Sequence, residues 1–234
     1  MNVKIITYSF LFLFSLSANT FSQEKLSNVS QTNVYNFSKP IALGLSNNIS
    51  KFTPLALTFY GFVATQTNPL KHINYEFQEE ILEHHPTFRT HFDDYLQYTP
   101  LIATFTLKLS GNSGINNFKK TLVLFGTSTL LMAGSVYALK KTVRELRPDD
   151  TDRNSFPSGH TATAFAGAEL LHQEFKTLLL YFSYSGYLAA SATGALRMYN
   201  NKHYFSDVLA GAGIGILSTK AAYWLNDKLF KGKH

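Results

Sequence analysis

Hydrophobic and polar positions divide the chain into two unlike halves. Up to residue 94 the apolar stretches are short or broken, whereas from Tyr95 onward long uncharged runs alternate with short polar connections. Tyr95–Leu107 is the first run. Thr121–Leu139 continues for nineteen residues without a charge and Thr177–Leu196 for twenty, each near the ~20 residues an α-helix needs to cross a hydrocarbon core. Thr161–Leu171 and Val208–Leu225 are weaker candidates, richer in small residues and carrying Glu169 and Lys220. The pattern predicts an all-α helical bundle, integral to a membrane, with five or six spans. Gly211, Gly215 and the alanines beside them have the small-xxx-small spacing that lets helices approach closely.

The first half gives weaker signals. Residues 1–23 place Lys4 before an apolar core from Ile5 to Ala18, with small residues at Ser17, Ala18 and Ser22, which is signal-peptide architecture. An uncleaved N-terminal anchor is the alternative. Glu24–Asn36 is polar and predicts a linker. Residues 40–66 are apolar but interrupted by Asn47, Asn48, Lys51 and Pro54, so a broken helix at the membrane surface and a poor span both fit. Residues 71–94 carry Glu76, Glu79, Glu80, Glu83, Asp93 and Asp94 among His72, His84, His85 and His91. Because these lack a zinc-ligand spacing, a solvated helical segment is expected. The expected organisation is therefore residues 1–23 as signal or anchor, 24–94 as an extracytoplasmic extension and 95–230 as the helical domain.

Composition supports the membrane assignment. Hydrophobic residues make up 45% and charged residues only 15%, and the polar first half accounts for part of a mean hydropathy of just -0.06. The absence of cysteine excludes disulfides and thiolate chemistry. A net charge of +6 is dispersed between apolar segments instead of forming one stripe, which suits a membrane surface and not nucleic acid. Five spans starting near Tyr95 would leave Lys108, Lys119 and Lys120, and later Lys228, Lys231 and Lys233, on the inner side, as the positive-inside rule requires. A sixth span within residues 52–66 breaks that agreement.

Two polar clusters interrupt the apolar half. In the first, Lys140 and Arg147 are seven residues apart, which on a helix puts them on one face about 10 Å apart, with Pro148 ending the helix. Pro157, Ser158, Gly159 and His160 follow. Ser158 has a hydroxyl to donate, and Gly159 lets backbone N–H groups approach an oxyanion where a helix starts. In the second cluster, His203 and Asp207 sit at i and i+4 downstream of Arg197, where a carboxylate can fix an imidazole tautomer. Cations, a nucleophile and an acid are the needs of phosphate-ester hydrolysis, here supplied without a metal or cofactor.

Lys-x6-Arg-Pro, Pro-Ser-Gly-His and Arg-x5-His-x3-Asp, in that order, resemble the type 2 phosphatidic acid phosphatase (PAP2) superfamily. That superfamily includes lipid phosphate phosphatases, bacterial acid phosphatases and vanadium haloperoxidases. The resemblance covers about the last 140 residues and points to its bacterial membrane lipid phosphatase branch. It implies that Lys140, Arg147, Ser158, Gly159 and Arg197 bind phosphate. It also implies that His203 attacks phosphorus to form a phosphohistidine, that Asp207 orients His203, and that His160 protonates the leaving oxygen. The family usually has Ser before the arginine of the third motif, where this chain has Leu196.

The implied enzyme hydrolyses a lipid phosphate monoester or pyrophosphate at the outer, periplasmic face of the bacterial inner membrane. Lipid A phosphate, undecaprenyl pyrophosphate, phosphatidylglycerophosphate and phosphatidate are the candidate substrates. A soluble exported acid phosphatase and a vanadium-dependent haloperoxidase are alternatives within the superfamily, and a non-catalytic membrane scaffold is one outside it. Arg144, Asp149, Asp150, Asp152 and Arg153 are expected to form a solvated loop, and Glu169 and His172 to be structural.

Overall fold

The computed structural model describes residues 46–230, so the expected signal segment and linker lie outside the described residues. The described residues cluster as one compact unit. Eight helices make up the described part: α1 (Ser46–Gln66), α2 (Asn68–His84), α3 (Phe92–Leu96), α4 (Thr99–Leu109), α5 (Phe118–Val143), α6 (Gly159–Phe175), α7 (Leu180–Tyr199) and α8 (Phe205–Phe230). No strand occurs among the described residues, in agreement with the all-α expectation.

Local sequence explains several boundaries. Pro69 and Pro100 lie in the first turns of α2 and α4, where a missing N–H costs nothing. The Asn117 side chain accepts from the Lys120 N–H at 2.9 Å and caps α5. Residues 46–66 form one continuous helix despite Pro54. The expected boundary between residues 94 and 95 falls inside α3, and α1, α2 and α3 pack against α7 and α8 within the same compact unit.

Helix α6 occupies the centre, packed against α4, α5, α7 and α8. Its buried positions include Ala162, Ala164, Ala166, Gly167 and Ala168, whose small side chains bring neighbouring backbones close. Helix α8 meets it through two of the predicted small-residue positions. A Cβ on Gly211 would stand 2.6 Å from the Ser158 carbonyl, and one on Gly215 only 2.4 Å from that of Ala162. Gly213, on another side of α8, receives α1 at the Pro54 carbonyl.

Helix α5 is peripheral and turns Leu122, Val123, Leu130 and Tyr137 outward. By length and composition, Phe118–Val143 and Phe205–Leu229 are the two described helices apolar enough to cross a membrane. The expectation for residues 177–196 is not met by that measure, because α7 carries Ser183, Tyr184, Ser185, Ser191 and Thr193.

The interior is polar in places. Lys108, expected among the cations of an inner loop, is buried at the end of α4. Its Nζ donates to the Ser113 and Asn116 carbonyls at 2.5 and 2.7 Å and to Glu174 Oε2 at 2.8 Å. Glu174 also accepts from the Asn116 side chain at 2.7 Å and the Tyr223 hydroxyl at 2.5 Å. This network ties the α4–α5 connection to α6 and α8. Glu169 likewise accepts from Tyr187 and Gln173, the structural role expected of it.

A buried ion pair that loses one partner leaves an uncompensated charge, at a cost of about 3–5 kcal/mol. Lys108→Met should therefore lower the thermal midpoint of the detergent-solubilised protein markedly. The double variant Lys108→Met/Glu174→Gln should recover part of the loss. Equal midpoints for the wild type and the single variant would show that the pair contributes nothing.

Candidate active site

The polar residues singled out by spacing converge where α5 ends and where α6 and α8 begin. Helix α5 stops at Val143 because Arg144 adopts a left-handed conformation, with φ 53°. Arg147 thus lies in the following loop and does not share a helix face with Lys140, which corrects the expectation of one helix running to Pro148. The loop is held by its own backbone: the Arg147 N–H donates to the Asp152 carbonyl at 3.0 Å, and Ser155 N–H to that of Glu145 at 3.1 Å. Lys140 Nζ donates to the carbonyls of Asn154 and, at 3.4 Å, Ser155.

Asp207 joins the two clusters. Its Oδ2 accepts from Ser155 Oγ at 2.5 Å and from the Tyr204 N–H at 2.9 Å, while its backbone carbonyl accepts from the Ser158 N–H at 3.0 Å. His203 precedes α8 instead of sharing its helix, yet its Nδ1 comes within 3.4 Å of Asp207 Oδ2. His203 Nδ1 and Asp207 Oδ1 are both buried without a hydrogen-bond partner among the described residues. On the other edge of the ring, Nε2 lies 3.5 Å from Arg147 Nη1. That guanidinium also donates to Asp152 Oδ1 at 3.0 Å and to the Lys202 carbonyl at 3.2 Å.

Burial pushes the His203 imidazole well below its ordinary pKa, and the charges of Arg147, Lys140 and Arg197 push it further. The ring is consequently neutral at neutral pH. Ser158 is buried and caps α6, accepting from the Thr161 hydroxyl at 2.8 Å and, more weakly, the Thr161 N–H at 3.4 Å. Its own proton is left to donate. Gly159 opens α6 beside it, as expected, and His160 follows in the first turn.

Two residues expected to lie in a solvated segment belong to this site. Asp93 and Asp94 are neighbours on the short helix α3 and grip different motifs. Asp93, 1% exposed, accepts from Arg197 Nη1 at 2.7 Å and from Asn200 Nδ2 at 2.9 Å. Asp94 Oδ1 is 2.9 Å from His160 Nε2. The hydrogen bond with His160 holds the Asp94 carboxyl below its usual range. Burial lowers the His160 pKa, the Arg197 charge adds to that, and Asp94 opposes both. The preceding segment is equally integrated: Asn74 and Gln78 on α2 are buried and donate to Ser206 Oγ and Asn201 Oδ1 at 2.8 and 2.7 Å.

Arg197, in the last turn of α7, retains a buried Nε without a partner among the described residues. Leu196 before it is half-buried. Asp93, Asp94 and His160 also bring three ligand atoms within 4.8 Å of one another, close enough to share a cation. In this arrangement these side chains are already engaged with Arg197, with Asn200 and with each other. The site as a whole offers a tetrahedral anion several cationic donors, a neutral imidazole backed by a carboxylate and a second imidazole able to carry a proton.

Residues 121–231 match the model of the PAP2 superfamily. A lipid A 1-phosphatase of Porphyromonas gingivalis is 43% identical over 146 residues, which cover 62% of this chain and 33% of that protein. The bacitracin transport permease protein BcrC of Bacillus licheniformis is 34% identical over 96 residues, 40% of this chain and 43% of that one. The chain thus spans a third to less than half of the length of these curated relatives. Among solved structures, the transmembrane PAP2-type phosphatidylglycerolphosphate phosphatase of Bacillus subtilis aligns with a TM-score of 0.53 and 19% identity, over 76% of this chain and 98% of that one. That likeness concerns the fold.

The Asp94–His160 contact can be tested without turnover. A carboxylate favours the imidazolium, so Asp94→Asn should make His160 titrate at lower pH. Histidine-labelled NMR on the purified protein would measure it. An unchanged or raised His160 pKa would mean that the contact has no electrostatic effect in solution.

Proposed function

We propose that this protein is a membrane phosphatase that hydrolyses a lipid phosphate monoester or pyrophosphate through a phosphohistidine. The observation that carries the proposal is the setting of His203, a neutral buried imidazole with Asp207 at Nδ1 and Arg147 at Nε2. Nε2 is then the free nucleophilic atom, placed where a guanidinium would hold a phosphate oxygen.

In the first step Nε2 attacks phosphorus and the bond from phosphorus to the lipid oxygen breaks. Protonated His160 gives that oxygen its proton, and Asp207 stabilises the cation forming on His203. In the second step His160 takes a proton from water, whose oxygen attacks phosphorus. The P–N bond breaks and inorganic phosphate leaves. Lys140, Arg147, Arg197 and Ser158, with the N–H groups at Gly159, neutralise charge on the transferring group. Asp94 keeps Nε2 of His160 aimed and favours its protonated form.

The outward apolar face of α5 and the two long apolar helices support a membrane location. Lys119, Lys120 and Lys228 lie at the helix ends remote from the site, which supports a cytoplasmic position for that end and a periplasmic one for the site. The similarity to a lipid A 1-phosphatase makes lipid A 1-phosphate the first substrate to assay. Undecaprenyl pyrophosphate, phosphatidylglycerophosphate and phosphatidate follow.

Phosphate release by the purified full chain should fall at least about a thousandfold in His203→Ala, with an acid-labile phosphoenzyme detectable in the wild type. Near-normal release in that variant would remove the nucleophile assignment. Leu196→Ser should leave the rate within the same order or raise it. Chelator should leave it unchanged; a loss restored by a divalent ion would instead assign Asp93, Asp94 and His160 to a metal.

Because the chain has no cysteine, orientation can be read from single introduced thiols. Thr151→Cys, in the site loop, should react with an impermeant maleimide in intact spheroplasts, and Asn112→Cys only after lysis. The reverse pattern would place the site in the cytoplasm.

A further inference from the structure

Beside the phosphate cradle lies a cavity of about 450 Å³ lined by Lys140, Lys141, Arg144, Arg153 and Asn154. Four of these five side chains are cations, and no acidic side chain lines it. Elsewhere around the site, cations are matched: Arg147 with Asp152, Lys202 with Asp149, and Arg197 with Asp93. Arg144 and Arg153 are the contrast, since neither side chain forms a hydrogen bond or ion pair with another described residue.

The position of Arg144 adds to this. It ends α5 in the left-handed conformation, where Gly or Asn is the usual and less strained choice. An arginine there serves the backbone poorly but sends a guanidinium to the cavity wall. Lys140 belongs to both sites: it lines the cavity and anchors the 154–155 backbone whose Ser155 hydroxyl holds Asp207. The cavity is far larger than one phosphate requires and falls in the range of small-molecule sites.

We propose that this cavity is a second anion subsite that takes a second phosphate carried by the same lipid head group, with the sugar or other polar unit bearing it. The inference rests on the lipid phosphatase reading and deepens it, by naming a doubly phosphorylated head group as the preferred substrate class. Arginine forks suit a phosphate dianion, and two guanidinium groups free of internal partners need no rearrangement to receive one.

The test uses the purified full chain in neutral detergent, with two probes: a lipid A disaccharide bearing two phosphates and the same lipid bearing only the 1-phosphate. Arg144→Gln/Arg153→Gln should raise KM for the doubly phosphorylated lipid about tenfold or more. Both kcat and KM for the singly phosphorylated lipid should stay within about twofold. Equal losses on both lipids, or none on either, would overturn the proposal. A loss that appears only when anionic phospholipid is added, and equally for both probes, would assign the cavity to a bystander head group and overturn it as well.

A binding arm separates this proposal from the reading beneath it. Calorimetry in the His203→Ala background should show the two arginine substitutions weakening the doubly phosphorylated lipid at least about tenfold and sparing the other. That difference would stand even if the wild type released no phosphate from any lipid, the outcome that would defeat the phosphatase reading alone. Equal binding in the two backgrounds would defeat the subsite.

Discussion

The buried carboxylate of Asp207 is the point on which the site depends. It gathers a hydroxyl from the loop after α5 and a backbone N–H from the turn before α8, faces the ring of His203, and through its own carbonyl holds the residue that caps α6. A charge so deeply placed persists only where several donors surround it. The same donors fix three chain segments far apart in sequence. Shape and chemistry here have one cause: the contacts that make burial of the carboxylate tolerable are those that aim the imidazole.

Around that centre, the packing is governed by close backbone approach. Gly211 sets α8 against the capping residue of α6, so the glycine that permits helix contact also determines where Ser158 stands. At the other end of α6, about 20 Å away along its axis, the Lys108–Glu174 network holds the far connection. The central helix is thus fixed at both ends by polar contacts and along its length by small residues. This arrangement gives a rigid reference for the loops that carry the functional groups.

Much of this was legible in the sequence, for identifiable reasons. Long uncharged runs gave α5 and α7, and weaker, small-residue-rich runs gave α6 and α8. The three spaced motifs gave the cationic and histidine residues that now stand together. What could not be read were contacts across long separations. Asp93 and Asp94 looked like part of an acidic, histidine-rich stretch, and only tertiary pairing with Arg197 and His160, 104 and 66 residues away, reveals their place. The end of α5 was hidden for another reason: no glycine marks it, since Arg144 itself takes the left-handed turn. His203 and Asp207 have helical spacing, yet only Asp207 is in the helix. Lys108 resembled a loop cation because its buried partner, Glu174, lies 66 residues away.

The outward flank of α5 has a consequence for how such a sequence can vary. Leu122, Val123 and Leu130 are at least half exposed, so any side chain of similar oiliness would serve there. Gly215 enjoys no such latitude, because one added methyl group there would press on the backbone at Ala162 and Ala166. Drift should accumulate on the exterior and stall inside, with size, more than polarity, as the property that selection watches in the interior.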